Sequence, residues 1–116
     1  MIEFEFPLEN DNVSLVKTEE KHFDGLYKVG SNPILWEQHI DKSRWEIDSF
    51  REYINGGLEN KEGCYTIIDK KMNKVIGTTR FYSFDEKEPS IKIGYTFISY
   101  DYWRTSMNYQ IKKLML

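Results

Sequence analysis

Four stretches of the chain alternate between apolar and polar residues in the way that β-strands do. They are residues 12–17, 63–69, 74–84 and 90–100. In the last stretch, the alternation places Ile91, Ile93, Tyr95 and Phe97 on one face. Short polar turns join the last three stretches, so the pattern predicts an antiparallel meander of three strands, preceded along the chain by one separate strand.

Between the first two of these strands, apolar residues repeat at the three- and four-residue intervals of helices. The predicted helices cover residues 19–29, 32–40 and 44–61. We expect Thr18 to cap the first helix and Gly30 to end it, and Pro33 to open the second.

In the third helix, Trp45, Ile47, Phe50, Tyr53 and Ile54 form the predicted apolar stripe. Ser43 is the predicted cap of this helix, and the pair at residues 56–57, Gly56 and Gly57, is expected to stop it.

A last helix is predicted at about residues 105–116. Its apolar stripe, Met107, Ile111, Leu114 and Met115, is expected to pack on the sheet. The element order is therefore β-α-α-α-β-β-β-α, which is typical of an α+β fold with a mostly antiparallel sheet flanked by helices.

Length and composition narrow the class of protein. A chain of 116 residues, of which 40% are apolar, indicates one domain over residues 1–116 with a packed core. The net charge of −3 and the lack of a basic block argue against nucleic-acid binding. Without a run of about 18 apolar residues or a signal peptide, we expect no membrane span. The lone Cys64 suits a reducing, cytoplasmic location.

Few side chains suggest metal binding or acid–base chemistry. Two His and one Cys, far apart, do not give a metal-ligand spacing, so no metal is expected. Glu37, His39 and Asp41 could include a general base, or could be a solvated helix end. His22 is interpreted as a packing or surface residue, and Cys64 as a buried structural thiol.

The turn that leads into the last helix, residues 103–108, offers a different kind of site. The first amides of a helix are unpaired and lie at the positive end of its dipole, so they can bind an anion. Arg104 adds a cation, and Thr105 and Ser106 add hydroxyls. The alternative is that Thr105 or Ser106 is only a helix cap and Arg104 a solvated surface charge, because the turn lacks the glycines of phosphate loops.

Three segments together resemble a known family. They read "VIGTTRF" (75–81), "IKIGYTFIS" (91–99) and "YWRTSMNYQIKKLML" (102–116). They resemble the GNAT superfamily of acetyl-coenzyme A-dependent N-acetyltransferases, in particular the subgroup similar to ribosomal-protein N-terminal acetyltransferases. The matching positions are Gly77, Thr79, Arg80, Phe81, Ile93, Gly94, Thr96, Trp103, Arg104, Thr105, Asn108, Lys112, Leu114 and Leu116. Residues 13–27 resemble the family's first strand and helix more weakly.

The resemblance implies a coenzyme site and a reaction. The pantetheine arm of acetyl-coenzyme A would bond the main chain of the fourth predicted strand, at Phe97, Ile98 and Ser99. Its pyrophosphate would lie on amides of the turn, contributed by Arg104, Thr105, Ser106, Met107 and Asn108. An amine would attack the thioester directly, and a strand amide would stabilise the oxyanion. The first two helices would wall the acceptor site, so Trp36 could face the amine, although Trp36 and Trp45 could equally be core.

The chain also departs from the family pattern. Trp103 stands where the wider superfamily has Arg or Gln, Ser106 where it has Gly, and Asn108 where it has Gly or Ala. The family's later strands and helix have no counterpart here, which suggests a partial domain. A second copy is therefore expected to cover the free strand and the last helix in a homodimer. The rival interpretations are a non-catalytic fragment that self-associates and a module that binds a peptide strand.

Overall fold

The structure is a computed structural model that describes residues 8–37, 43–60, 63–85, 90–103 and 105–115. The described residues contain five strands: β1 (Leu8–Glu9), β2 (Val13–Lys17), β3 (Cys64–Asp69), β4 (Lys74–Asp85) and β5 (Ser90–Ile98). They contain three α-helices: α1 (Phe23–Gly30), α2 (Ile47–Leu58) and α3 (Met107–Met115). Single turns of 3₁₀ helix lie at Glu20–His22, Pro33–Trp36 and Tyr100–Tyr102.

The five strands form one antiparallel sheet in the order of the sequence. The predicted meander and the separate first strand are confirmed, while β1 is a short addition that the alternation did not predict. The antiparallel sheet with its helices confirms the α+β fold class.

The helices cover both faces of the sheet. On one face, α3 packs by its predicted stripe on a cluster that includes Val13, Leu15, Ile67, Ile76 and Phe81. On the other face, α1 and α2 enclose an aromatic cluster built from Leu26, Trp36, Phe50, Tyr53 and Phe97. Each cluster removes large apolar side chains from water, which is the main source of stability in such a domain.

The entry to α1 differs from the prediction. Thr18 does not cap a helix, because its hydroxyl is buried and bonds the Thr66 hydroxyl at 3.0 Å. The cap is Glu19, whose amide donates to Nδ1 of His22 at 3.0 Å in a reciprocal capping box. Thr18 is therefore used in a contact with the sheet at Thr66, which the local sequence does not reveal, and does not cap the helix.

The second predicted helix is a short 3₁₀ turn. Asn32 accepts a hydrogen bond from the amide of Ile34 at 3.0 Å, and Pro33 opens the turn as expected. Trp36 follows and is completely buried, with its indole N–H donating to the Gly30 carbonyl at 2.8 Å. Trp36 is thus a core residue that faces no open cleft, whereas Trp45 is 39% exposed.

The bounds of α2 correct three predictions. The helix begins at Ile47 rather than after Ser43, and Ile47 itself is 55% exposed, outside the buried stripe. Phe50, Tyr53 and Ile54 are buried as predicted. The cap at Ser43 is therefore wrong, as is the inclusion of Trp45 and Ile47 in the stripe.

Gly56 and Gly57 do not stop α2, which continues to Leu58. A Cβ at Gly57 would lie 2.7 Å from Sγ of Cys64, and one at Gly56 would lie 3.3 Å from Nη1 of Arg80. The two glycines let the helix pass closely over the sheet. They are needed for packing, not for ending the helix.

Candidate functional site

Strand β5 is the edge strand of the sheet that the described residues form. In its pairing with β4, Thr78 is opposite Phe97 and Arg80 is opposite Gly94. One residue of β4 is therefore opposite two of β5, Tyr95 and Thr96, which is the arrangement of a β-bulge. Such a bulge bends the strand and interrupts the regular ladder between β4 and β5.

The close approach of β4 and β5 depends on Gly77. A Cβ at this position would lie 2.1 Å from the carbonyl oxygen of Phe97, so only glycine allows this pairing. Beside the bulge, the hydroxyls of Thr79 and Thr96 are hydrogen-bonded to each other at 2.7 Å. These residues belong to the segments that carry the family resemblance, and their contacts explain why small and hydroxylated side chains are found there.

The end of β5 has one residue whose main chain faces outward. The Ser99 amide donates to the Ile76 carbonyl at 2.7 Å, so the preceding residue, Ile98, directs its main-chain groups away from β4. The side chains of Phe97 and Ile98 are both buried, in the two different clusters. Only the main chain of this strand end is therefore accessible to a ligand.

The protein already uses part of this main chain. The Ile98 carbonyl accepts a hydrogen bond from the indole Nε1 of Trp103 at 3.1 Å. The Ser99 carbonyl accepts one from the Tyr102 amide at 2.9 Å. The outward amide of Ile98 is the group at this strand end that is best placed to bond a ligand. The Trp103 indole thus occupies the neighbouring Ile98 carbonyl.

A connector, residues 99–106, joins β5 to α3, and several of its amides are bonded within the protein. The Trp103 amide donates to the Tyr100 carbonyl at 3.1 Å, and the Thr105 amide to the Tyr102 carbonyl at 3.3 Å. The Met107 amide donates to the Thr105 hydroxyl at 3.2 Å. Among the described residues, the Ser106 amide has no protein acceptor. Fewer amides of residues 103–108 are therefore free to bind an anion than the sequence alone suggests.

The exposed hydroxyls of Thr105 and Ser106 lie at the same place. Ser106 accepts a hydrogen bond from Nε2 of Gln110 at 3.0 Å, and its carbonyl accepts from the Gln110 amide as α3 begins. Arg104 lies outside the described residues, and Asn108 is placed in α3 only by its backbone.

Two cavities flank the connector, one on each face of the sheet. The α3 cavity, of about 340 Å³, is lined by Asn12, Asp69, Lys71, Tyr102, Thr105, Ser106, Met107 and Gln110. The α1 cavity, of about 550 Å³, is lined by Gly25, Lys28, Val29, Asn32, Lys74, Val75, Ile76, Ser99, Tyr100 and Asp101. Both are reached from the connector, and each has at least one lysine in its wall.

A buried carboxylate organises the connector from the side of the α3 cavity. Asp69 accepts a hydrogen bond from the Tyr102 hydroxyl and two more from the amides of Lys71 and Met72, at 2.9 and 3.2 Å. These donors, with Tyr102 first, hold the pKa of Asp69 below its ordinary value. Burial and the bonded carboxylate raise the pKa of Tyr102 to about 12, so its hydroxyl stays a donor at neutral pH. Sequence reasoning missed this pair because the two residues lie 33 positions apart.

The other sequence candidates lie away from this region. Glu37 is exposed at the end of the 3₁₀ turn, while His39 and Asp41 lie outside the described residues. His22 is half-buried in the capping box, and Cys64 is a buried thiol 3.5 Å from the Thr78 hydroxyl, as expected for packing roles. The described residues hold no group of three His, Cys, Asp or Glu side chains suited to a metal ion. None of the described helices is long and apolar enough to cross a membrane.

An antiparallel sheet whose bulged edge strand runs into a helix, with helices on both faces, defines the architecture of the N-acetyltransferases. The profile of the acetyltransferase (GNAT) domain family matches residues 12–116, and the chain belongs to this family. No curated protein matches the sequence.

Solved acetyltransferases share the fold. A GNAT-family acetyltransferase from Bacillus anthracis is 14% identical to this chain, with a TM-score of 0.72. The match covers 92% of this chain and 61% of the B. anthracis chain. A GCN5-related N-acetyltransferase from Brucella melitensis is 19% identical with a TM-score of 0.77, covering 92% and 51%. Spermidine N-acetyltransferase from Vibrio cholerae, solved with CoA and spermine, is 13% identical with a TM-score of 0.60, covering 90% and 62%.

The chain thus spans about half to two thirds of the length of the solved structures that it matches. Identities this low establish the fold alone. The family membership and the geometry of the connector are therefore the basis for a proposal about activity.

Proposed function

We propose that the protein binds acetyl-coenzyme A and transfers its acetyl group to a primary amine, either a protein N-terminus or a small amine. The observation that carries the proposal is the membership of residues 12–116 in the GNAT domain family. The resemblance of residues 74–116 to ribosomal-protein N-terminal acetyltransferases supports a protein N-terminus as one of the two candidate acceptors. The single Cys64, reduced and buried, suits a cytoplasmic location.

The proposed coenzyme site follows the edge of β5 and the connector. The pantetheine arm lies beside the main chain of Phe97, Ile98 and Ser99, and the outward amide of Ile98 is its main anchor. The pyrophosphate lies at residues 104–108, where the Ser106 amide and two hydroxyls face the start of α3. Arg104, Thr105, Ser106, Met107 and Asn108 form this part of the site. A helix N-terminus stabilises a nearby anion through its unpaired amides and its dipole.

In the proposed reaction, the amine nitrogen attacks the thioester carbon, and the carbon–sulfur bond breaks to release the coenzyme A thiolate. The negative charge that develops on the carbonyl oxygen needs a preorganised donor. A main-chain amide of β5 is the proposed donor, because it lies on the same strand as the pantetheine anchor. The attacking amine loses one proton and the thiolate gains one; no residue is assigned to either transfer.

Ser106→Asp separates coenzyme binding from helix stability. A carboxylate at the start of α3 favours the helix dipole, so the free protein should melt at an equal or slightly higher temperature. The same carboxylate repels a pyrophosphate, so the stabilisation by coenzyme A should fall steeply. Melting temperature is measured with and without about 1 mM coenzyme A, where a ligand at about 100 times its Kd contributes ~2.7 kcal/mol. Ser106→Ala, which adds no charge, is the matched control.

Acetyl transfer is then measured by mass spectrometry, with N-terminal peptides and small amines as acceptors. If coenzyme A stabilised the wild type and Ser106→Asp equally, the proposed position of the pyrophosphate at the start of α3 would be wrong. A wild-type protein that neither shifts nor transfers acetyl would contradict the proposed function as a whole.

The edge strand supports a second candidate function. Because β5 is unpaired on one side within the described sheet, it can add a strand from a peptide or from a second copy in a homodimer. The amides of Trp103, Thr105 and Met107 are already bonded within the protein, which makes the start of α3 a less open anion site. Light scattering after size exclusion tests this candidate: a monomer that binds coenzyme A favours the transferase, and a dimer without coenzyme binding favours self-association.

A further inference from the structure

A relay of hydrogen bonds between side-chain amides reaches the start of α3 from the turn between β1 and β2. The side-chain oxygen of Asn10 accepts from the main-chain amides of Asn12 and Val13, at 2.8 and 2.9 Å. The NH₂ groups of Asn10 and Asn12 donate to Oε1 of Gln110, at 3.2 and 3.0 Å. Nε2 of Gln110 lies 3.0 Å from the Ser106 hydroxyl oxygen. The relay therefore joins main-chain amides of the turn to one hydroxyl of the connector.

The first members of the relay fix the direction of each later hydrogen bond. A main-chain amide can only donate, so the Asn10 side chain must present its oxygen to the turn. The NH₂ group of Asn10 then faces Gln110, which must present Oε1 and turn Nε2 towards Ser106. Because Nε2 can only donate, the Ser106 oxygen is the acceptor in this bond, and the hydroxyl keeps its hydrogen for another partner.

The two hydroxyls of the connector consequently differ. The Thr105 hydroxyl donates to the Tyr102 carbonyl at 2.6 Å and accepts from the Met107 amide at 3.2 Å, so its hydrogen is used within the protein. The Ser106 hydroxyl has no acceptor among the described residues, and Ser106 is exposed. Ser106 is therefore the residue of the two whose hydroxyl can donate to an anion.

Both ends of the relay are held in place. The Asn10 amide donates to the Val13 carbonyl at 3.0 Å, and the Asn10 carbonyl accepts from Nζ of Lys70 at 3.0 Å. Gln110 is half-buried, and the next residue, Ile111, packs in the core cluster beneath α3. A side chain held in this way has little freedom to rotate, so the hydroxyl is oriented before any ligand arrives.

We propose that Gln110 is a positioning residue of the coenzyme site: by donating to the Ser106 oxygen, it makes the Ser106 hydroxyl a fixed donor to the pyrophosphate. This inference rests on the proposed function, and it gives Gln110 a role that acts through Ser106 rather than on the ligand. A hydrogen bond to a charged group is stronger than one between neutral groups, so the direction of a single hydroxyl affects anion binding.

The decisive variant is Gln110→Glu, which keeps the size of the side chain and reverses its polarity towards Ser106. A carboxylate can only accept, so it still accepts from Asn10 and Asn12 but takes the Ser106 hydrogen as well. The Kd of coenzyme A, measured by calorimetry, should rise about tenfold through the lost donor and the added charge. The ligand-free protein should melt at an equal or higher temperature, because a carboxylate near the start of α3 favours the helix dipole.

Gln110→Met tests the alternative that Gln110 only stabilises the fold. Met has a similar size and helix propensity but makes none of the hydrogen bonds to Asn10, Asn12 and Ser106, so this variant should show the larger fall in melting temperature. The Ser106 hydroxyl would rotate freely and still donate, so the Kd of coenzyme A should rise only about twofold. A purely structural role predicts the reverse, with the greater loss of affinity in Gln110→Met, and that result overturns the inference.

A double-mutant cycle with Ser106→Ala separates the hydroxyl from the charge. Ser106→Ala alone should raise the Kd about threefold. In that background, Gln110→Glu should raise it about threefold further rather than tenfold, because no hydroxyl is left to turn. Tyr109→Glu, which adds the same charge at an exposed neighbour on α3, is the control and should have the same effect with and without the Ser106 hydroxyl.

The outcomes separate this inference from the proposed function. An equal effect of Gln110→Glu in both backgrounds, or unchanged affinity in Ser106→Ala, overturns the inference and leaves the proposed function standing. A wild-type protein that does not bind coenzyme A overturns both.

Discussion

The Tyr102 hydroxyl donates a hydrogen bond to the buried carboxylate of Asp69 and so ties the connector to the end of β3. The Tyr102 carbonyl in turn accepts from the Thr105 hydroxyl at 2.6 Å, and that hydroxyl accepts from the Met107 amide at 3.2 Å. Hydrogen bonds to the side chain and to the main chain of Tyr102 therefore link a strand carboxylate to the first turn of α3. These hydrogen bonds hold the backbone of the connector in place where α3 begins.

Tyr102→Phe is expected to weaken coenzyme binding as well as stability. Loss of a hydrogen bond to a charged group costs about 1.5–3 kcal/mol of unfolding free energy. Because the connector loses its fixed point, the Kd for coenzyme A should also rise about fivefold to tenfold. Tyr109→Phe, at a tyrosine that is 68% exposed on α3, is the control and should change neither quantity. Unaltered coenzyme affinity in a folded Tyr102→Phe protein would show that the pair has only a structural role.

The Asp69 carboxylate should make stability depend on pH in the acid range. Its folded pKa lies below the ordinary value of 3.8, so its contribution is complete well above pH 3.8 and is lost as the pH falls through the folded pKa. Asp69→Asn should therefore show a smaller loss of unfolding free energy between pH 6 and pH 3, measured by urea denaturation. Parallel curves for the two proteins would contradict the role assigned to the carboxylate.

His22 should make stability depend on pH in a higher range than Asp69 does. Burial lowers the pKa of His22 below the ordinary 6.5. In the fold its Nδ1 accepts a hydrogen bond from the Glu19 amide and lies 3.3 Å from the Thr66 hydroxyl. The neutral ring therefore favours the fold above pH 6.5, and this contribution decreases as the pH falls through the folded pKa. In His22→Gln, which keeps an acceptor at this capping-box position, the melting temperature should fall less between pH 7.5 and pH 5. An equal fall would show that His22 is not the titrating group.

Two glycines of α1 should respond in opposite directions to the same substitution. A Cβ at Gly30 would lie 2.2 Å from the Phe50 ring, so Gly30→Ala should cost about 2 kcal/mol or more of unfolding free energy. A Cβ at Gly25 would lie 3.4 Å from Val75, an ordinary contact, so Gly25→Ala should be neutral or gain ~0.5–1 kcal/mol. Urea denaturation measures both. A stable Gly30→Ala protein would mean that α1 and α2 pack less closely than the structure has them.

Much of the architecture was readable from the sequence because it depends on local periodicity. Strand alternation located β2 to β5, and helical spacing located α1 and α3, the latter with its buried face. The predicted site residues came from the resemblance of residues 74–116, and their assignment to the coenzyme remains a prediction. The structure adds that the amides of Trp103, Thr105 and Met107 are already bonded, which a linear motif does not reveal.

The sequence by itself determined where the chain is extended and where it is helical, since these preferences act between residues two to four positions apart. Tertiary structure decided the rest. It made Gly57 a packing residue inside α2, because a Cβ there would lie 2.7 Å from Sγ of Cys64 on the sheet. It also paired Asp69 with Tyr102, because the end of β3 and the connector meet only after the sheet forms. Contacts between residues so far apart are set by packing, which no local pattern encodes.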